Sequence, residues 1–196
     1  MDRKEEPMCG RFLMNEEAFE IIEHIAYVPD YIQPELFCKT IYPTNPAITL
    51  VMKDGILQAE SLHFGYKSES MNRLLINARA ETVSEKPMFR QSFYHHRCVV
   101  PASSFYEWDA AKEKISFFEK NDPALFMAGI VKEDCFLILT TNANPSVEPY
   151  HHRMPLLLKK EQLRSWLSEE SKALQFLKQT PQNLEHAFSF AQNSLF

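Results

Sequence analysis

Residue types able to do chemistry concentrate in four short segments. These are Met8-Cys9-Gly10-Arg11, Asn77-Ala78-Arg79-Ala80-Glu81-Thr82, Val100-Pro101-Ala102-Ser103-Ser104-Phe105-Tyr106-Glu107-Trp108 and His151-His152-Arg153-Met154-Pro155. Each sets a polar or reactive residue at a strand end or in a loop, where functional groups tend to sit. The types available are a thiol, an amide, a carboxyl and an imidazole, with arginines beside them. Each also has a plain structural reading. A cysteine is often a small buried hydrophobe, and that reading is taken for Cys38, Cys98 and Cys135. A glutamate before tryptophan is ordinarily a surface charge, and adjacent histidines are ordinarily a solvated loop. Arg79 and Glu81 can form a structural ion pair, and His95 and His96 receive no function.

The elements that must position these segments follow from hydrophobic periodicity. Asn15 is placed to cap a helix running to about Ala26, with Phe19, Ile22 and Ile25 on one face. The stretch 32–46 holds three prolines and reads as loop. Residues 47–52 and 56–64 read as strands joined by a Lys53-Asp54-Gly55 turn. Residues 73–78 read as a further strand, and Ser84 with Pro87 opens a short helix through about Tyr94. Strands are predicted over 97–100, 114–118, 124–131 and 135–140, the last two forming a hairpin, with one more over 154–158. Residues 160–167 and 170–178 read as terminal helices. Strands fill the middle and helices flank it, so the fold class is α+β rather than a doubly wound sheet.

The chain has 196 residues, 45% hydrophobic and 24% charged, enough for one domain with a substantial core. Its four glycines are too few for a Gly-rich phosphate loop. No apolar run is long enough to span a bilayer, and Met1 to Pro7 lacks the apolar stretch of a secretory signal. The four cysteines form neither C-x-x-C pairs nor a regular spacing, which argues against a zinc site or a disulfide framework. The expectation is therefore a reducing, cytoplasmic location, with no metal, no other cofactor and no membrane partner. The formal net charge of −5 counts against nucleic acid as a partner unless the contact is a local basic patch.

Taken together, the four segments resemble the SRAP family, the SOS response-associated peptidases, whose members crosslink to abasic DNA. The family pattern is M-C-G-R, then N-A-R-x-E-T, then P-A-x-G-F-Y-E-W, then H-x-R-M-P. The matches lie in the same order and cover Met8 to Pro155. The resemblance implies a single domain of mixed, curved, barrel-like β-sheets flanked by helices. It also implies a catalytic set of Cys9, Asn77, Glu107 and His151. The family histidine precedes arginine by two positions, so it falls on His151 and not on His152. Arg11 and Arg79 are placed beside the set and are expected to contact phosphates flanking a lesion. Arg153, Arg73, Arg90 and Lys86 are lesser candidates. Trp108 and Phe64 can stack on bases, although core packing is the first expectation for both.

The implied reaction suits these residue types. An N-terminal cysteine carries an amine and a thiol on adjacent carbons, and its α-amine titrates near about pH 8, so part of it is neutral at pH 7. The amine can condense with the aldehyde of an abasic deoxyribose, and the thiol can close a thiazolidine ring. Opening the sugar and forming the imine need proton transfers. Glu107 is expected to hold and deprotonate the α-amine, with Phe105, Tyr106 and Trp108 desolvating it. His151 is expected to act as acid and base at the sugar ring oxygen, and Asn77 to orient Cys9 or a sugar hydroxyl. The substrate is then abasic single-stranded DNA, and the protein a monomer. The competing readings are a cysteine peptidase using Cys9, His151 and Asn77, and a binding module without catalysis.

The sequence departs from the family at its start. Residues 1–7 precede Met8, and while they remain attached Cys9 has no free amine. They are read as an extension or propeptide absent from the active form, with residues 8–196 as the SRAP-like domain. Either translation begins at Met8, the favoured reading, or the Met8–Cys9 bond is cleaved, with Cys9 as nucleophile. Smaller departures are Phe64-Gly65 for the family's Trp-Gly, Ser104 for a glycine, and Thr40-Ile41-Tyr42-Pro43 for Asn-x-Ala-Pro. Beyond Leu167 the chain matches poorly.

Overall fold

Apolar and β-branched residues are dense over residues 46 to 142, where strands predominate and Pro87–His95 is helical. The computed structural model describes residues 10–68 and 72–188. Cys9 and the segment 1–7 lie outside the described residues.

In chain order the elements begin with β1 (Phe12–Leu13), α1 (Glu16–Ile25), α2 (Pro34–Phe37) and β2 (Thr40–Ile41). Next come β3 (Pro46–Lys53), β4 (Ile56–Phe64), β5 (Tyr66–Ser68), β6 (Arg73–Leu75) and β7 (Asn77–Arg79). The middle continues with α3 (Pro87–His95), β8 (Arg97–Ala102), β9 (Ser104–Trp108), β10 (Lys114–Phe118), β11 (Leu125–Lys132) and β12 (Cys135–Asn142). The chain ends with β13 (Arg153–Pro155), β14 (Leu157–Leu158), α4 (Leu163–Ser168), α5 (Glu170–Phe176) and β15 (Glu185–Phe188). The Asn15 cap forms as expected, its side chain accepting from Ala18 N–H at 2.9 Å.

Two sheets carry the architecture. The larger runs β13-β12-β4-β3-β8-β11-β14, with β7 added beside β12. Because β12 also pairs with β11, the sheet bends round on itself. The ring is closed between β4 and β12 by only two residue pairs, Cys135↔His63 and Phe136↔Phe64, so it is no true barrel. The smaller sheet runs β15-β10-β9-β1-β2. The α+β expectation therefore holds, with curved, mixed sheets.

Alternate residues of the large sheet feed two cores. Val99, Phe126, Ala128, Leu137 and Leu139 join Phe19, Ile22, Phe93 and Trp166 of the helices. Cys98, Val100, Met127, Phe136 and Ile138 join Phe12, Phe105, Ile115 and Phe117 of the small sheet. Burial on both faces explains why β8, β11 and β12 read as continuous apolar runs.

Arg97, buried between α3 and α4, anchors the helix layer. Its guanidinium donates to the carbonyls of Phe93 (2.7 Å), Tyr94 (3.2 Å), Trp166 (2.5 Å) and Leu167 (3.3 Å). Carbonyls in the last turn of a helix lack intrahelical donors, so one cation serves two helix ends.

Several expectations need correction. The predicted strand 73–78 divides into β6 and β7, and 154–158 into β13 and β14. Strand β9, which carries Glu107, is absent from the predicted set, and the loop 32–46 contains α2 and β2. Cys98 is fully buried, but Cys38 and Cys135 are only partly so.

Candidate active site

Glu107 sits on β9 with its side chain turned into the molecule. Side chains alternate along a strand, so Phe105 and Glu107 share one face while Ser104, Tyr106 and Trp108 take the other. The inner face is shown by Phe105, which is fully buried and stacks on Phe117 of β10 with centroids 5.2 Å apart. Opposite Glu107 in the ladder is Ile115, also fully buried. Glu107 itself is 3% exposed, a carboxyl set among apolar side chains between two sheets. Such a group is expensive to bury unless it is engaged, which marks it as more than a surface charge.

The chain following Cys9 runs alongside this strand. β1 pairs antiparallel with β9 through Phe12↔Phe105 and Leu13↔Ser104. One step further, Tyr106 N–H donates to Arg11 O at 3.0 Å. Gly10 lies against the segment bearing Asn77, because a Cβ on it would meet Ile76 Cδ1 at 3.5 Å.

Asn77 opens β7, held parallel to β12 by Asn77↔Ile138 and Thr140↔Arg79. Its buried Nδ2 has no hydrogen-bond partner among the described residues. Arg79 is exposed at the end of the same strand.

His151 lies in the loop leading into β13. Its Nδ1 lies 3.1 Å from both the backbone N–H and the carbonyl oxygen of Arg153, which fixes the ring against the start of β13. Its ring stacks on that of His152, 4.7 Å away. The loop is fastened to the sheet that carries Glu107, since the Tyr150 ring packs 5.9 Å from Phe117. The C-terminal segment straps the same loop. Asn144 Nδ2 donates to Pro181 O (3.2 Å) and Gln182 O (2.6 Å), and Leu184 N–H donates to Ser146 Oγ at 3.0 Å. The Tyr150 hydroxyl meets His186 Nε2 at 2.9 Å, and β15 pairs with β10. One segment thus joins the His151 loop to the sheet of Glu107.

Arg153 is no phosphate contact. It is 6% exposed and donates to both Glu81 carboxylate oxygens (2.5 and 2.8 Å), to Asn142 Oδ1 (2.8 Å) and to Thr140 O (2.6 Å). Burial pushes the Glu81 carboxyl up, but the Arg153 hydrogen bonds and the charges of Arg153 and Arg79 outweigh it and hold the carboxyl below its ordinary value.

Arg11 is exposed on the outer face of the small sheet. Its guanidinium carbon lies 4.9 Å from the Tyr42 ring centroid and 4.8 Å from that of Trp108. Lys114 Nζ lies 3.6 Å from the Tyr106 ring on the same face. Phe64, in contrast, is fully buried and stacks on Phe136, so it can offer no platform to a base. Trp108 overturns the core-packing expectation: it is partly exposed and carries Arg11. The sequence reading missed Tyr42 and Lys114 as members of this patch. The one signal for Tyr42 was an aromatic residue in a proline loop where the family pattern has alanine.

The sequence profile of the family described as SOS response associated peptidase (SRAP) matches residues 8–192. The chain belongs to the SRAP family. Among its curated relatives, the abasic site processing protein YoqW of Bacillus subtilis is 32% identical, over 84% of this chain and 82% of that protein. YoaM of the same organism, also an abasic site processing protein, is 32% identical over 87% and 83%. YedK of Escherichia coli, another, is 27% identical over 83% and 81%. Two crystal structures share the fold. One is of a protein from Bacteroides thetaiotaomicron (TM-score 0.77, 23% identity, 92% and 91% covered). The other is of a phage-related protein from Bordetella bronchiseptica (TM-score 0.76, 22% identity, 93% and 95% covered).

Among the described residues, no three His, Cys, Asp or Glu converge as metal ligands. No described helix is long and apolar enough to cross a membrane.

Proposed function

We propose that this SRAP protein processes abasic sites in single-stranded DNA by a covalent crosslink through Cys9, borne as the first residue of the working chain. The curated relatives named as abasic site processing proteins support the reaction class. The observation that carries the mechanism is Glu107, a carboxyl buried between the sheets on the strand that lies antiparallel to the segment following Cys9.

The chemistry runs in balanced steps. His151 passes a proton to the ring oxygen of the sugar, and loss of the C1 hydroxyl proton yields the aldehyde. The Cys9 amine, relieved of a proton by Glu107, adds to the carbonyl carbon. The carbinolamine loses water to give an imine. The thiol sulfur then bonds to the former carbonyl carbon while its hydrogen goes to nitrogen, closing the thiazolidine. Asn77, with its unpartnered buried donor, suits a role in holding Cys9 or a sugar hydroxyl. Arg11 and Arg79, both exposed, suit flanking phosphates. Residues 1–7 must be absent, because an acylated nitrogen cannot form the imine, and a start at Met8 followed by methionine removal supplies this.

The test is a denaturing gel of protein begun at Met8 and mixed with an oligonucleotide bearing one abasic site. A band stable to denaturation is expected, and Cys9→Ala should abolish it. Peptide turnover without any DNA adduct would overturn the crosslinking proposal in favour of a peptidase. Mass spectrometry of the protein from its own host is expected to find Cys9 first.

A further inference from the structure

We infer that Tyr42, with Arg11 and Trp108, forms a subsite for one unpaired nucleotide, the base stacking on Tyr42 and its phosphate meeting the edge of Arg11. The inference rests on the DNA reading above and adds to it the origin of a preference for single strands.

Arg11 lies over both the Tyr42 and Trp108 rings. Its guanidinium makes no hydrogen bond or ion pair with any described side chain. Ring faces attract the cation while leaving its in-plane N–H donors free, and that donor edge matches a phosphate. Tyr42 is 44% exposed although Arg11 lies against its ring, so aromatic surface is left open to solvent.

The loop holds that surface still. Asn45 N–H donates to Tyr42 O at 3.0 Å, and Tyr42 N–H donates to Asn45 Oδ1 at 3.1 Å. Pro43 and then Thr44 at φ 74° give the pattern of a type II turn. Thr44 is β-branched and strained at that angle. Thr44 N–H donating to Phe64 O at 2.7 Å and Phe64 N–H donating to Asn45 O at 2.9 Å pin the turn to β4. A fixed aromatic surface beside an unpaired guanidinium suits a base whose face is bare. In a duplex that face is covered by its neighbours, so Tyr42 has nothing to stack on.

The test uses the chain begun at Met8 and three probes without an aldehyde: an unmodified single strand, a strand of tetrahydrofuran phosphates lacking every base, and a duplex. Binding is read by anisotropy and by quenching of Trp108, against the constant signal of the buried Trp166. Tyr42→Ala is expected to weaken the unmodified strand about 5- to 150-fold, to leave the base-free strand and the duplex unchanged, and to be rescued by Tyr42→Phe. Equal losses on the unmodified and base-free strands would mean that Tyr42 merely holds Arg11, and would overturn the inference. So would an absence of loss, or of single-strand binding by the unaltered protein. Failure to crosslink an abasic oligonucleotide, with Tyr42-dependent stacking intact, would refute the crosslinking proposal and leave this one standing.

Discussion

The helix layer on one face of the large sheet and the segments that form the candidate site obey different rules. In the helix layer, polar groups that enter the core are matched. Arg97 meets four carbonyls at two helix ends, and Trp166 Nε1 donates to Cys98 O at 2.9 Å. Among the described residues, buried side-chain atoms without a partner are Asn77 Nδ2, Thr82 Oγ1 and Arg153 Nε. All three fall in the second and fourth segments that the sequence singled out, and none falls on a helix. Buried polar groups are ordinarily satisfied, so these exceptions set the second and fourth segments apart from the helix layer. Local inconsistency of this kind is expected at functional segments, and it coincides here with the segments proposed for the site.

This contrast is broken most directly at its two ends. Arg97→Met strands the carbonyls it serves, and is expected to cost about 3 kcal/mol in chemical denaturation. The adduct rate per folded molecule should stay unchanged. A loss of activity without a loss of stability would dissolve the division. Glu107→Gln is the converse. It keeps shape and removes a proton carrier, so the rate of adduct formation is expected to fall about 100-fold. Stability should hold, since no buried charge remains to be desolvated. A Glu107→Gln protein that unfolds easily but crosslinks normally would make the carboxyl structural.

Part of this was legible in the sequence, for physical reasons. The α1 cap, the β3–β4 hairpin and the doubly buried strands carry period and turn chemistry that act locally. Strand β9 was missed because its Phe105-Tyr106-Glu107 run breaks apolar alternation with a charge on the inner face, and its pairing with β1 and β10 is non-local. The placing of Arg153 inside the fold was equally hidden. Its partners Glu81 and Thr140 lie 72 and 13 positions away, and nothing local distinguishes a buried arginine from a phosphate ligand. Tyr42 was visible as a departure from a family pattern, but its meaning came only with Arg11 beside it in space.

The Arg153–Glu81 pair gives the smallest effect and the sharpest use of pH. It lies at the border of the two regimes, since Arg153 is buried while the Glu81 side chain is 41% exposed. The folded state holds the Glu81 carboxyl below its ordinary value of 4.5. The unfolded chain therefore takes up the proton first as pH falls. The stabilisation is complete above about pH 4.5 and fades as pH drops through the lower, folded value. Solvent screening at Glu81 limits the contribution to about 1 kcal/mol. Glu81→Gln should thus be less stable than the unaltered protein at pH 7 by about that amount, with the difference closing below pH 4.5 in parallel denaturation series. A gap that stays constant through pH 4 would assign the effect of Glu81 to packing and remove the pair from the border it is argued to hold.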